Sequence, residues 1–120
     1  MPTISGRALA GALSLIVTSA MLPNIRDGQL VGEVSHLRRD VKATQVERTL
    51  LTRSYNRQLE YFCRCEGLRF VDFTPELEDW RTGLLHGHWC HPSPADHHLH
   101  PERGGKLWAR RLLAMLGTGL

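Results

Sequence analysis

The sequence predicts an α/β fold in which a parallel sheet is flanked by helices. Two strand-like segments, residues 14–20 and 68–73, stand on either side of a long helical pattern that ends before Gly67. The first segment carries no charged residue and is interpreted as one apolar strand, which is typical of a strand covered on both faces. A strand, a helix and a second strand in this order favour a parallel pair joined by a right-handed crossover.

The region before the first strand has two interpretations. Arg7 precedes an apolar run, residues 8–22, that is too short for a membrane-spanning helix but has the length of a signal-peptide core. The β-branched residues of the 14–20 segment, followed by a turn at Pro23, favour a buried strand instead. We therefore expect a cytoplasmic chain that does not enter a membrane, with a secretory signal over residues 1–22 as the alternative.

Two helices are predicted from apolar periodicity. The first covers residues 35–66, with a break near Asp40, and Gly67 closes it as a C-cap residue. Its predicted buried face consists of Leu51, Tyr55, Leu59, Phe62 and Cys63. The last helix covers residues 101–116 and begins with Pro101. Its predicted buried stripe consists of Trp108, Leu112, Met115 and Leu116.

Residues 76–100 form a predicted long loop, because they contain Pro, Gly and His without a sustained period. We expect at most one helical turn in it, near residues 75–77. Long loops in compact domains are often functional. Trp80 and Trp89 can line a substrate groove there, although packing of the loop onto the sheet is the favoured interpretation.

Composition excludes several classes of function. The chain has 120 residues and a formal net charge of +3, with basic residues scattered rather than arranged in a stripe among aromatics. This distribution argues against a nucleic-acid partner. Three cysteines in a chain of this length do not form a disulfide framework, so we expect reduced thiols. No cofactor motif is recognised.

The segment with the clearest chemistry lies just before the last helix. Asp96 and His100 precede Pro101 and a Gly-Gly pair, and the amphipathic helix then begins. An acid and a histidine held against a helix start can supply the base of a nucleophilic site and the carboxylate that orients it. The alternative is structural, since an Asp near a helix N-terminus complements the helix dipole and a loop His is often only solvated.

The ordered set of these segments resembles the C-terminal portion of an SGNH (GDSL-type) hydrolase over about residues 12–116. The matching features are the strand ending in a Pro-containing loop, the helix with Asn56 and Leu59, the strand ending in Val71-Asp72, and the Asp96 to Pro101 block. The resemblance implies a three-layer, flavodoxin-like sheet. It also implies hydrolysis of a small acyl or acetyl ester, with His100 as the base and Asp96 as its orienting acid.

The chain departs from the family pattern in two ways. Asp96 and His100 are four residues apart where the pattern has three, and His97 stands where the acid is expected. No Gly-Asp-Ser block and no Gly-x-Asn-Asp block occurs, so the serine and the oxyanion-hole donors are not identified. We therefore expect residues 1–120 to be one partial SGNH hydrolase-like domain with little or no esterase activity. An incomplete sheet of this kind also predicts self-association through its exposed edge.

A second interpretation belongs to a different class of function. Six of the seven histidines fall within residues 86–100, together with Cys90 and Asp96. Zinc binds such nitrogen, sulfur and oxygen ligands, although no Cys-x-x-Cys anchor is present. The alternative to a hydrolase is therefore a non-enzymatic domain or relic whose His-rich loop binds a metal or a partner.

Overall fold

The structure is a computed structural model that describes residues 15–27, 42–93 and 96–118. In chain order the elements are β1 (Ile16–Thr18), α1 (Gln45–Glu66), β2 (Arg69–Val71), α2 (Thr74–Leu77), a 3-10 turn (Gly87–Trp89) and α3 (Pro101–Thr118). The molecule is thus a small α/β fold, which confirms the predicted fold class. Most of the predicted signal segment and the first part of the predicted long helix lie outside the described residues.

The two strands are parallel, which confirms the predicted pairing. Ile16 pairs with Arg69 and Thr18 with Val71, and one further bond runs from the Ser19 N–H to the Val71 carbonyl at 2.9 Å. Each strand is only three residues long, shorter than the sequence predicts. Over the described ranges the sheet contains these two strands alone.

Helix α1 begins later than predicted because a capping box fixes its start. Residues 42–44 are not helical, and the Thr44 hydroxyl accepts a hydrogen bond from the Glu47 N–H at 3.1 Å while the Glu47 carboxylate returns to Thr44. This reciprocal pair satisfies N–H groups that a helix start leaves without partners. The predicted end is confirmed, since Gly67 adopts the left-handed conformation at φ 69° and donates to the Arg64 carbonyl.

The predicted buried face of α1 is wrong. Leu51, Tyr55 and Phe62 are 72%, 55% and 53% exposed, and of the predicted face only Cys63 is fully buried. The helix instead buries mainly polar side chains: Gln45, Thr49, Asn56 and Cys63. These residues recur at spacings of four and seven, so they share one face. Burial is tolerated there because Gln45 and Asn56 find backbone partners in the segment that follows β1.

The core lies between that segment, β2 and α3. Its fully buried members are Leu22, Val71, Phe73, Leu77, Leu85 and Leu107. The Phe73 and Trp108 rings stack with centroids 3.6 Å apart. On α3, the predicted Trp108, Leu112 and Met115 pack against this core. The prediction for Leu116 is wrong: it is 40% exposed, because each residue turns the helix by about 100° and this position follows Met115 toward solvent.

The loop between β2 and α3 is more ordered than its composition suggests. The predicted helical turn is present as α2. Two isolated antiparallel β-bridges, Glu78 with Leu85 and Cys90 with Leu99, join parts of the loop that are separated along the chain. The Trp89 indole N–H donates to the Glu76 carbonyl at 2.8 Å, so this ring packs the loop onto the core, whereas Trp80 is 87% exposed. Across the described ranges, no helix has the length and apolar character that a bilayer span requires.

Candidate functional site

The Asp96–His100 loop is held at the end of the fold where β1 and β2 lead out of the sheet. Asn24, in the segment after β1, donates its side-chain amide to the Asp96 and His98 carbonyls at 3.1 and 2.7 Å. The His100 N–H donates to the Trp89 carbonyl at 2.8 Å on the other side of the loop. Asn24 is 9% exposed, so these bonds form away from bulk water and fix the loop firmly.

The Asp96 carboxylate is the centre of the polar contacts in this loop. Its Oδ1 accepts from the His98 N–H at 2.8 Å and lies 2.7 Å from the His98 Nδ1. Its Oδ2 lies 3.6 Å from the Nε2 of His91. The hydrogen bonds from the His98 backbone and ring hold the pKa of the Asp96 carboxyl below its ordinary value, so the group is ionised at neutral pH.

These contacts fix the tautomers of the two neighbouring imidazoles. A proton on the Nδ1 of His98 faces the carboxylate, which leaves its Nε2 lone pair free to accept a proton. The Nδ1 of His91 accepts from the Ser93 N–H at 3.0 Å, so the proton of a neutral His91 is on Nε2 and points toward Asp96. His98 is 69% exposed and His91 only 23%, so His98 is the accessible member of the pair.

His100, the predicted base, has a different environment. Its Nδ1 accepts from the Arg103 N–H at 3.2 Å, and its carbonyl accepts from the Gly104 N–H in the first turn of α3. A neutral His100 in this position therefore carries its proton on Nε2. The structure thus brings Asp96 together with His98 and His91, and places His100 against the start of the helix.

Among the described residues, no serine hydroxyl is hydrogen-bonded to a histidine of this loop. The Ser19 hydroxyl is buried and accepts from the Phe73 N–H at 2.9 Å, which joins the ends of the two strands. Ser54 is part of α1, and Ser93 uses its backbone to orient His91. Ser5, Ser14 and Ser35 lie outside the described residues.

A cavity of about 300 Å³ opens beside the loop. Leu22, Ile25 and Leu51 give it an apolar wall, and Arg48 and His97 contribute polar atoms. The Nδ1 of His97 is buried and has no hydrogen-bond partner among the described residues. An apolar recess with a few convergent polar groups is typical of a small-ligand site.

Three consecutive residues could also hold a metal ion. Asp96, His97 and His98 each place one ligand atom within 4.8 Å of the others. Sequence reasoning grouped the histidines of residues 86–100 without resolving which of them meet. It missed the roles of Asn24 and His91, because both act through partners that only the folded chain brings close. The one signal for Asn24 was its position directly after the predicted strand-ending turn at Pro23.

Comparisons of the chain with family models, curated proteins and solved structures find no match.

Proposed function

We propose that this chain is the C-terminal portion of an SGNH-type ester hydrolase that cleaves a small acyl or acetyl ester by a Ser-His-Asp mechanism. The parallel β1–α1–β2 unit supports this proposal, since it has the element order of such a fold. The full three-layer, flavodoxin-like sheet belongs to the proposal and extends beyond the two described strands. The loop that carries the acid and the histidines follows these elements in the expected order.

The contact between Asp96 and His98 is the observation that carries the proposal. A carboxylate that accepts the Nδ1 proton of an imidazole fixes the ring and stabilises the imidazolium that forms during proton transfer. The 2.7 Å separation and the ionised state of Asp96 meet both requirements. The opposite nitrogen can then take the proton of a serine hydroxyl as it attacks the ester carbonyl.

Two histidines compete for the role of base. The resemblance assigns this role to His100. The hydrogen bonds of the loop favour His98, because its Nδ1 faces Asp96 whereas the Nδ1 of His100 accepts from the Arg103 N–H. For His100 to act with Asp96, its Nδ1 must release the Arg103 N–H and take up a proton that faces the carboxylate. The two assignments are separable, because each predicts a different alanine variant to be inactive.

The 120 residues contain no Gly-Asp-Ser block and no Gly-x-Asn-Asp block, so this proposal takes the serine and the oxyanion-hole donors from elsewhere in the protein. Loss of oxyanion donors alone costs several kcal/mol of barrier, about 2.7–4 for one donor in a known case. The 120 residues by themselves are therefore expected to turn over esters weakly or not at all. The cavity beside His97 is suited to a short apolar acyl group.

The test uses the longest product of the gene that contains these 120 residues. We expect it to hydrolyse a short-chain aryl ester and to be labelled at serine by a fluorophosphonate probe. His98→Ala and His100→Ala identify the base, which is the variant that loses at least about a thousandfold in kcat. His88→Ala, in the same His-rich region, is the matched control and should keep full activity. The proposal is overturned if the protein is not labelled at serine. It is also overturned if neither His98→Ala nor His100→Ala lowers labelling or ester turnover.

A further inference from the structure

We propose that Asp96, His97 and His98 form a binding site for a borderline divalent transition cation such as Zn²⁺. The site goes beyond the proposed ester hydrolysis and does not depend on it. Its donor set is one carboxylate oxygen and two imidazole nitrogens, which together suit Zn²⁺ and do not suit Mg²⁺ or Ca²⁺.

The distances within the cluster fit this role. The three ligand atoms lie within 4.8 Å of one another, and Asp96 Oδ1 lies 2.7 Å from His98 Nδ1. Two ligands bound to zinc at about 2.0–2.1 Å in tetrahedral geometry are separated by roughly 3.3 Å. The pair therefore needs to open by only a fraction of an ångström. The Nδ1 proton of His98 leaves when the cation binds, and Nε2 takes a proton from solvent in its place.

His97 supplies the second, independent observation. Its Nδ1 is buried and has no hydrogen-bond partner within residues 15–27, 42–93 and 96–118, although a buried polar atom without a partner costs about 1–3 kcal/mol. Such an atom in a folded protein calls for an explanation, and a bound ion is one of the few available. The His97 and His98 rings lie with centroids 4.0 Å apart, so both imidazoles approach the same carboxylate.

His91 acts as an outer partner of the site rather than as a ligand. Since its Nδ1 accepts the Ser93 N–H, its Nε2 keeps the proton that faces Asp96 Oδ2. A ligating carboxylate that is hydrogen-bonded in this way is held in place for the metal. Three protein ligands then leave a fourth position, which the 69% exposed His98 side keeps open to water or to an exogenous ligand.

The cation and the acid–base pair use the same atoms. A metal on Asp96 Oδ1 and His98 Nδ1 removes the hydrogen bond that prepares His98 as a base. The two states therefore exclude each other, and each can be measured without the other.

Calorimetric titration of the full chain with Zn²⁺ and, separately, with Mg²⁺ tests the proposal, with Co²⁺ absorption as a second readout. We expect one Zn²⁺ per chain, no Mg²⁺ binding, and a tetrahedral Co²⁺ spectrum. Asp96→Asn and His98→Ala should each weaken Zn²⁺ binding by at least about tenfold, and His91→Ala by about tenfold as an outer partner.

His88→Ala is the matched control, because His88 is exposed and lies outside the cluster. It should leave the affinity unchanged. Asp96→Asn keeps an oxygen that can accept the His98 N–H, and a circular dichroism spectrum equal to that of the unaltered chain separates a loss of binding from a failure to fold. Adventitious binding only, or equal losses in His88→Ala and His98→Ala, overturns the proposal. Neither result affects the hydrolase test, which reads serine labelling and ester turnover.

Discussion

At the scale of single residues, the chemistry of this chain depends on what holds Asp96. Its carboxylate is ionised more readily than an ordinary aspartate because the His98 backbone N–H and then the His98 ring donate to it. Replacing His98 by alanine keeps the backbone donor and removes the ring donor. The two contributions are therefore separable by experiment.

The pH dependence of Asp96 tests this arrangement. A carboxyl whose pKa is lowered on folding contributes stability above its unfolded pKa of about 3.9, and this contribution is lost as pH falls through the folded value. We expect a carboxyl carbon NMR titration of Asp96 to have its midpoint below the ordinary value of 3.8. His98→Ala should move the midpoint only part of the way back, because the backbone N–H remains. A midpoint at or above the ordinary value in the unaltered chain would contradict the geometry.

At the scale of elements, α1 is attached to the sheet by amides rather than by an apolar stripe. The Asn56 Oδ1 accepts from the Ala20 N–H at 2.7 Å, and its Nδ2 donates to the Ala20 carbonyl at 3.0 Å. The Gln45 side chain donates to the Pro23 carbonyl, and Arg48 donates to the Ile25 carbonyl. One helix thus holds the whole segment from β1 to the cavity, which positions Asn24 and, through it, the Asp96 loop.

Replacing Asn56 should therefore cost more than replacing any exposed residue of α1. Asn56→Ala leaves both backbone groups of Ala20 without their partner, and each such loss costs about 1–3 kcal/mol where water is excluded. Because Ala20 is only half-buried, we expect Asn56→Ala to lower the free energy of unfolding by about 2 kcal/mol in all. Urea denaturation measures this change. Gln58→Ala, exposed on the same helix, serves as control and should change it by less than about 0.5 kcal/mol. If the two variants lower the free energy of unfolding equally, the Asn56 amide does not stabilise the fold.

The sequence predicted the order and type of the elements because these depend on neighbouring residues. The parallel pair, the Gly67 cap and the helix starting at Pro101 all follow from local patterns. The buried face of α1 could not be predicted in the same way. The apolar stripe has good helical periodicity, but the partner of Asn56 is 36 residues away and becomes visible only in the fold. The Asp96 loop shows the same limit, since the sequence does not reveal that His98 meets the carboxylate.

At the scale of the whole molecule, the described residues leave two kinds of surface without partners. One is the edge of the two-stranded sheet, and the other is the apolar stripe of α1 formed by Leu51, Tyr55 and Phe62. Monomeric proteins rarely expose contiguous apolar patches of large area, and unpaired strand edges recruit other chains. Both features favour association with a second apolar surface or a further strand.

We therefore predict that the isolated chain self-associates. Leu51 also lines the cavity beside His97, so the apolar stripe is continuous with that recess and favours contact with a second apolar surface. Sedimentation over a dilution series should show dimers or larger species that dissociate as the concentration falls.

A double substitution, Leu51→Gln with Phe62→Gln, should shift the distribution toward monomer, whereas Leu113→Gln, at a comparably exposed position on α3, should not. If the double substitution leaves the assembly intact, the apolar stripe of α1 is not the contact surface. A chain that is monomeric throughout the series contradicts the prediction, because its apolar stripe and sheet edge would then be stable in water without a partner.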